Sequence, residues 1–207
     1  LLPFQQSFAQ FRNTYSHSVS DDHISLIKKH DGFGYVQCST VENATKDIRL
    51  VKYDLNGVVM LDEVFTSGTN DDFGLDVCLG NSNTFLVCGY ETIGGLDRGF
   101  VMQVDSNFVF LNKIYIQVPS NNKHTPALKI INSKFYEQNT PGNYWPGDPS
   151  QGYLVVGFEA DGYNATQSKS SYAIKLTNGL TFQWARKFDS PISGGTADWD
   201  MCSNANW

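Results

Sequence analysis

Apolar residues in this chain come in short runs divided by turn residues, and the runs recur. Ile24-Ser25-Leu26-Ile27 is followed by the turn residues His30 to Gly34 and then by Tyr35-Val36-Gln37-Cys38. After a polar stretch from Ser39 to Lys46, read as a loop, Asp47 to Tyr53 alternates apolar with charged positions. That alternation is the two-residue period of a strand with one buried face. Asp54-Leu55-Asn56-Gly57 has hairpin-turn chemistry, and Val58 to Phe65 reads as a fourth strand. Short strands with turn signals every 8–12 residues or so predict an antiparallel meander. No helical period of any length is present.

The same order of runs returns about 50 residues on. Asp21-Asp22 is echoed by Asp71-Asp72, and Cys38 by Cys88. Leu75 to Leu79, the turn Gly80 to Asn83, and Thr84 to Tyr90 repeat the first hairpin. The loop Glu91 to Asp97, then Arg98 to Val104 and Phe108 to Ile116, complete the second copy. A third copy is longer. Gly157 aligns with Cys88, which leaves roughly 19 extra residues within Glu137 to Gln151 of its first hairpin. Tyr172 to Leu176, Asn178-Gly179 and Leu180 to Phe188 then resume the pattern. Asp198-Trp199-Asp200-Met201-Cys202 resembles Gly74 to Cys78 and opens a fourth copy. The expected copies are 18–69, 70–120 and 121–193, with partial ones over 1–17 and 194–207. Such a period marks a sheet-based repeat whose units bury their apolar faces on one another.

The stretch from Asp31-Gly32 to Asp71-Asp72 resembles the β-propeller blade repeat of secreted bacterial and protist proteins. Its Asp-Gly turn, apolar run, Lys-Tyr-Asp strand end and Asn-Gly turn occur in the order of that repeat, and the likeness covers about 15–193. The resemblance implies an all-β fold, a propeller-type array of four-stranded antiparallel blades. It implies no particular activity, because such blades host many. Three copies are fewer than the four to eight or so blades that usually close a ring. More chain or a neighbouring molecule is expected to complete it, and the other architecture is an open stack of sheets.

Composition narrows the function classes. Charged residues are only 17% of the chain, aromatic ones 14%, and the net charge is −6. That balance argues against nucleic acid or an anionic membrane as partner. No apolar run approaches the roughly 20 residues of a membrane span. The chain begins at Leu1 with no basic-then-apolar leader, so a processed protein or a fragment is expected. Cys38, Cys78, Cys88 and Cys202 have no metal-site spacing. They are either buried thiols or include a cross-strand disulfide between Cys78 and Cys88, with the pairing of Cys38 and Cys202 open.

Asn43-Ala44-Thr45 and Asn164-Ala165-Thr166 are N-glycosylation acceptors at the same point of copies one and three. They predict N-glycans on Asn43 and Asn164 and an extracellular, secreted protein. Tyr144, Trp145 and Asp148 stand among glycines and prolines of the insert and form the candidate recognition loop. The paired aspartates are read as turn caps in preference to a calcium site, which would need about six to eight converging oxygens. Catalytic signatures such as GxSxG or HExxH are missing, and His17, His23, His30 and His124 show no spacing to a nucleophile. The expectation is a non-catalytic structural or interaction protein, with no cofactor and no metal, that self-associates into an extracellular assembly such as a fibril. The competing expectation is a sugar-binding or glycan-processing propeller, using the insert aromatics with Asp148 and Glu159.

Overall fold

A computed structural model describes residues 26–30, 34–42, 44–116, 123–132, 152–161 and 169–189. They form three four-stranded antiparallel sheets, each a meander in chain order. The first holds β1 (Leu26–His30), β2 (Gly34–Glu42), β3 (Lys46–Tyr53) and β4 (Val59–Phe65). The second holds β5 (Asp72–Leu79), β6 (Phe85–Ile93), β7 (Leu96–Val104) and β8 (Phe110–Tyr115). The third holds β9 (Ala127–Asn132), β10 (Gly152–Ala160), β11 (Lys169–Thr177) and β12 (Phe182–Asp189). Each sheet lies within one sequence copy, and no helix occurs among the described residues.

Two stretches read as loops are mostly strand. β2 continues to Glu42 and β6 to Ile93, so only short turns lead into β3 and β7. In the second sheet the turn is Gly94-Gly95, with φ of 60° and 79°, the left-handed pair that a tight hairpin requires. Several polar side chains of these strand ends are buried, which is why polarity alone misassigned them. Glu91, for example, is 3% exposed and is gripped by Lys113.

Register shows that the three sheets are equivalent. Tyr35 lies opposite Tyr53, Phe85 opposite Val104, and Tyr153 opposite Leu176. Every third-to-fourth hairpin carries a β-bulge at the same place, between Lys52 and Tyr53, Gln103 and Val104, and Lys175 and Leu176. This register corrects the alignment of the third copy. Cys88 faces Val101, and Val156 faces Ala173 at the matching distance from the bulge. Val156 therefore takes the position of Cys88, and Gly157 that of Gly89. A lone glycine is a weaker alignment mark than a conserved hairpin geometry.

The bulged hairpins also share a turn. Asp54 Oδ1 accepts hydrogen bonds from the backbone N–H of Asn56 and Val58, both at 2.8 Å. Asp105 does the same for Asn107 and Val109, and Thr177 Oγ1 accepts from Thr181 N–H at 3.0 Å. The residue just before the last of these donors must be left-handed. Gly57 fills it in the first sheet, but Phe108 and Leu180 fill it in the others, each at φ 61°. Both are buried, and Phe108 packs edge-on against Phe85 with ring centres 5.7 Å apart. Burial of the side chain offsets a backbone strain of about 1 kcal/mol or more.

Two cores separate the three sheets. Val36, Cys38, Ile48 and Leu50 of the first sheet meet Val77, Phe85, Val87, Phe100 and Met102 of the second. Leu86, Cys88 and Val101 turn the other way and meet Ile130, Tyr153, Val155, Tyr172 and Ile174 of the third. The middle sheet is thus buried on both faces, which is why Phe85 to Cys88 of β6 and Phe100 to Met102 of β7 are unbroken apolar runs. Gly89 lets β5 come close to β6: a Cβ there would stand 1.7 Å from the carbonyl oxygen of Phe73. The described residues form an open array of three sheets, with no closed ring or barrel among them.

Of the two alternatives for the cysteines, the Cys78–Cys88 disulfide is absent. Cys38, Cys78 and Cys88 are buried thiols with no disulfide among them. The turn that pairs Leu79 with Phe85 sets Cys78 opposite Leu86 and Cys88 opposite Asp76, so the two sulfurs sit on a diagonal of one face, packed as small apolar groups. Burial, and next the nearby Asp76 carboxylate, push the Cys38 and Cys88 thiols well above their ordinary range. Such thiols are poor nucleophiles.

Candidate binding site

Where the second and third strands of each sheet turn, charged groups are held by the fold. Lys113 reaches from β8 to Asp72 at 2.9 Å and to Glu91 at 2.7 Å, and its ammonium lies 4.4 Å from the centre of the Phe100 ring. Asn70 Nδ2 donates to the other oxygen of Glu91 at 2.7 Å, and the Tyr115 hydroxyl donates to Glu91 as well. Burial alone would push Glu91 up, but the hydrogen bonds from Lys113, Tyr115 and Asn70 outweigh it and hold the carboxyl below its ordinary value. Burial alone would pull Lys113 down, but Glu91 and Asp72 more than reverse that. In the third sheet Glu159, at the position of Glu91, pairs with Lys123 at 3.1 Å and Lys187 at 3.7 Å. Glu159 is 4% exposed in its side chain, so the sequence-derived role as an open sugar-binding carboxylate does not fit its placement.

The sheets are tied together along the same rim. Asp71 Oδ1 accepts Lys46 N–H at 2.9 Å, which caps the start of β3 from the entry to β5. His124 stands before β9 in the same relation to β7, with Nδ1 3.2 Å from Asp97 N and 3.2 Å from Asp97 Oδ2. A single ring nitrogen cannot serve both: unprotonated Nδ1 accepts from the amide, and protonated Nδ1 donates to the carboxylate. Asp72 Oδ2 accepts Ser67 N–H at 3.1 Å. The Asp71-Asp72 pair therefore caps backbone, as its position in the repeat suggested.

Beside these caps a cleft of about 310 Å³ opens between the second and third sheets. Phe73, Tyr90 and Phe158 supply aromatic rings, and Pro126 and Leu128 supply aliphatic walls. Asp71, Thr92 and Asp97 bring the polar groups. Phe73 and Tyr90, directly opposite on β5 and β6, stack at 4.4 Å with an interplanar angle of 16°. The Thr92 hydroxyl donates to Asp97 Oδ1 at 2.8 Å. The cleft escaped the sequence reading because its lining comes from two copies of the repeat, and no local motif brings Tyr90 beside Phe158.

A second surface feature repeats with the sheets. The outer strands β4, β8 and β12, with the turns before them, expose large apolar side chains. Met60 and Val64, Phe110 and Tyr115, and Phe182, Trp184 and Phe188 are among them. These strands are also sheet edges, with one side of the backbone unpaired within the array.

The other sequence-derived sites fall elsewhere. Asn43 and Asn164 lie outside the described residues, in the β2–β3 and β10–β11 connections of equivalent sheets. Tyr144, Trp145 and Asp148 also lie outside them, in the connection between the paired strands β9 and β10. Cys202, Asp21-Asp22 and Asp198 to Asp200 are outside as well. Among the described residues no helix is long and apolar enough to cross a membrane. No family model matches the chain, and no curated protein matches it.

Proposed function

We propose that this chain is a non-catalytic, secreted and N-glycosylated structural module, built as a propeller-type array, whose copies associate through their outer strands. The observation that carries the reading is the exposed apolar row on β4, β8 and β12, present on three equivalent edges. Exposed apolar edge strands are normally blunted with charge or covered, because they template pairing with other chains. Charge favours one arrangement. Glu63 on β4 and Arg186 on β12 hold equivalent positions, opposite Leu50 and Ala173, and both are exposed. β12 of one molecule set along β4 of the next would pair them, a head-to-tail contact of the kind that builds rings or open filaments. The equivalent placement of the Asn43 and Asn164 acceptors in their sheets supports glycans carried on one rim.

Sedimentation velocity and electron microscopy of the glycosylated full chain test this reading. The expected result is concentration-dependent assembly that Trp184→Lys with Met60→Lys abolishes while the sheet circular dichroism is unchanged. A monomer at every concentration, with single particles only, would sink it.

A further inference from the structure

We propose that the rim cleft between the second and third sheets binds an organic cation, an ammonium group carrying apolar substituents. The cleft combines the two features such a group needs. Phe73, stacked on Tyr90 and covered by the Lys46 ammonium, backs the site, the rings of Tyr90 and Phe158 supply the aromatic wall, and the carboxylates of Asp71 and Asp97 offer negative charge beside them. A cation over an aromatic face is attracted by the ring quadrupole, and the attraction grows where water is partly excluded. The fold already contains one such contact, since the Lys46 ammonium stands 5.2 Å from the centre of the Phe73 ring. The local field is negative: burial first, and then Asp97 and Asp71, push the Tyr90 phenol up to about 12. Lys46 and His124, the nearby basic groups, are not among the residues that line the cleft.

Other ligand classes fit less well. A hard metal ion wants about six to eight oxygens, and here the oxygens are already engaged. Asp71 holds Lys46 N–H, and Asp97 holds the Thr92 hydroxyl. An anion would meet two carboxylates. A sugar would need several hydrogen-bond partners turned toward it, whereas the cleft offers few, and one of its two hydroxyls, that of Thr92, is given to Asp97. Ring faces and aliphatic walls instead suit methyl or methylene groups around a positive centre. The volume lies at the lower end of small-ligand sites, of the order of 300–1,000 Å³, and suits a group of a few heavy atoms. The same chemistry is offered by a free alkylammonium and by a lysine side chain of a peptide.

The test is a nuclear magnetic resonance titration of the isotope-labelled full chain with three probes. Tetramethylammonium represents the free cation, N-acetyl-lysine methylamide the peptide side chain, and tert-butyl alcohol is a neutral control of similar shape. The expected result is saturable shifts of the Thr92 and Leu128 amides with at least one cation, binding at least fivefold tighter than the neutral control. The cation that binds more tightly identifies the source. Asp71→Asn keeps an oxygen for the Lys46 cap and removes the charge, and is expected to weaken cation binding at least fivefold. Absence of saturation with both cations, equal binding of tert-butyl alcohol, or shifts confined to the outer strands would overturn the proposal. The wild-type comparison of charged with neutral probe stands whether or not the variant folds.

Discussion

Phe108 shows how a single residue carries both a cost and its compensation. It occupies a left-handed backbone position that glycine fills in the first sheet, and it is tolerated because its ring is buried against Phe85. Phe108→Ala removes the ring and keeps the strain, so a loss of about 3–5 kcal/mol is expected. Phe108→Gly removes both, and should be the milder substitution by about 1 kcal/mol, the reverse of the usual order of alanine and glycine. Urea unfolding of the two variants checks that order. Lys113 makes a second case. Lys113→Met leaves Asp72 and Glu91 buried without their cation, at a cost of about 3 kcal/mol near neutral pH. The lower end of the usual range applies because Lys113 keeps some contact with solvent. In the wild type, Glu91 is held below its ordinary value, so its contribution is present at neutral pH and fades as pH falls through the acid range. Without Lys113, burial pushes Glu91 up. The gap between variant and wild type should therefore narrow between neutral pH and about pH 4. Urea midpoints across that range measure it.

At the scale of elements, close approach of strands rather than side-chain chemistry sets the tolerances. Gly89→Ala drives a Cβ into the carbonyl of Phe73, which is backbone and cannot move aside, so β5 and β6 must part. Gly94→Ala meets open space, and only its φ of 60° opposes it. The first should cost several kilocalories and the second about 1 kcal/mol, read as the difference in melting temperature. The strands themselves were legible in the sequence, because alternation and turn residues mark them locally. Asp54-Leu55-Asn56-Gly57 forms the hairpin its residues suggest, and the equivalent turns at Asp105 and Thr177 follow it. The ends of β2 and β6 were not legible, because their residues are polar, and the partner of the buried Glu91, Lys113, lies some twenty positions away. The Cys78–Cys88 candidate bridge fails on register: the turn pairs Leu79 with Phe85, which sets Cys78 opposite Leu86 and two positions off Cys88. The cleft was invisible, since it exists only where two copies meet.

For the whole molecule, the outer edges decide behaviour in solution. Phe110→Lys on β8 replaces an exposed apolar group and should change stability by less than about 0.5 kcal/mol. Any larger effect on sedimentation than on unfolding would assign that residue to contact between molecules. The inner part of the array is insulated from such changes, because both faces of the second sheet are covered by its neighbours.

That double covering gives the array a built-in order of opening. A sheet with two partners must lose both before its amides meet solvent, whereas each flanking sheet has one such interface within the array. Deuterium should therefore enter the backbone of β6 and β7 last. If their amides exchange as fast as those of β3 and β11, the three sheets come apart as one body and the second is no keystone.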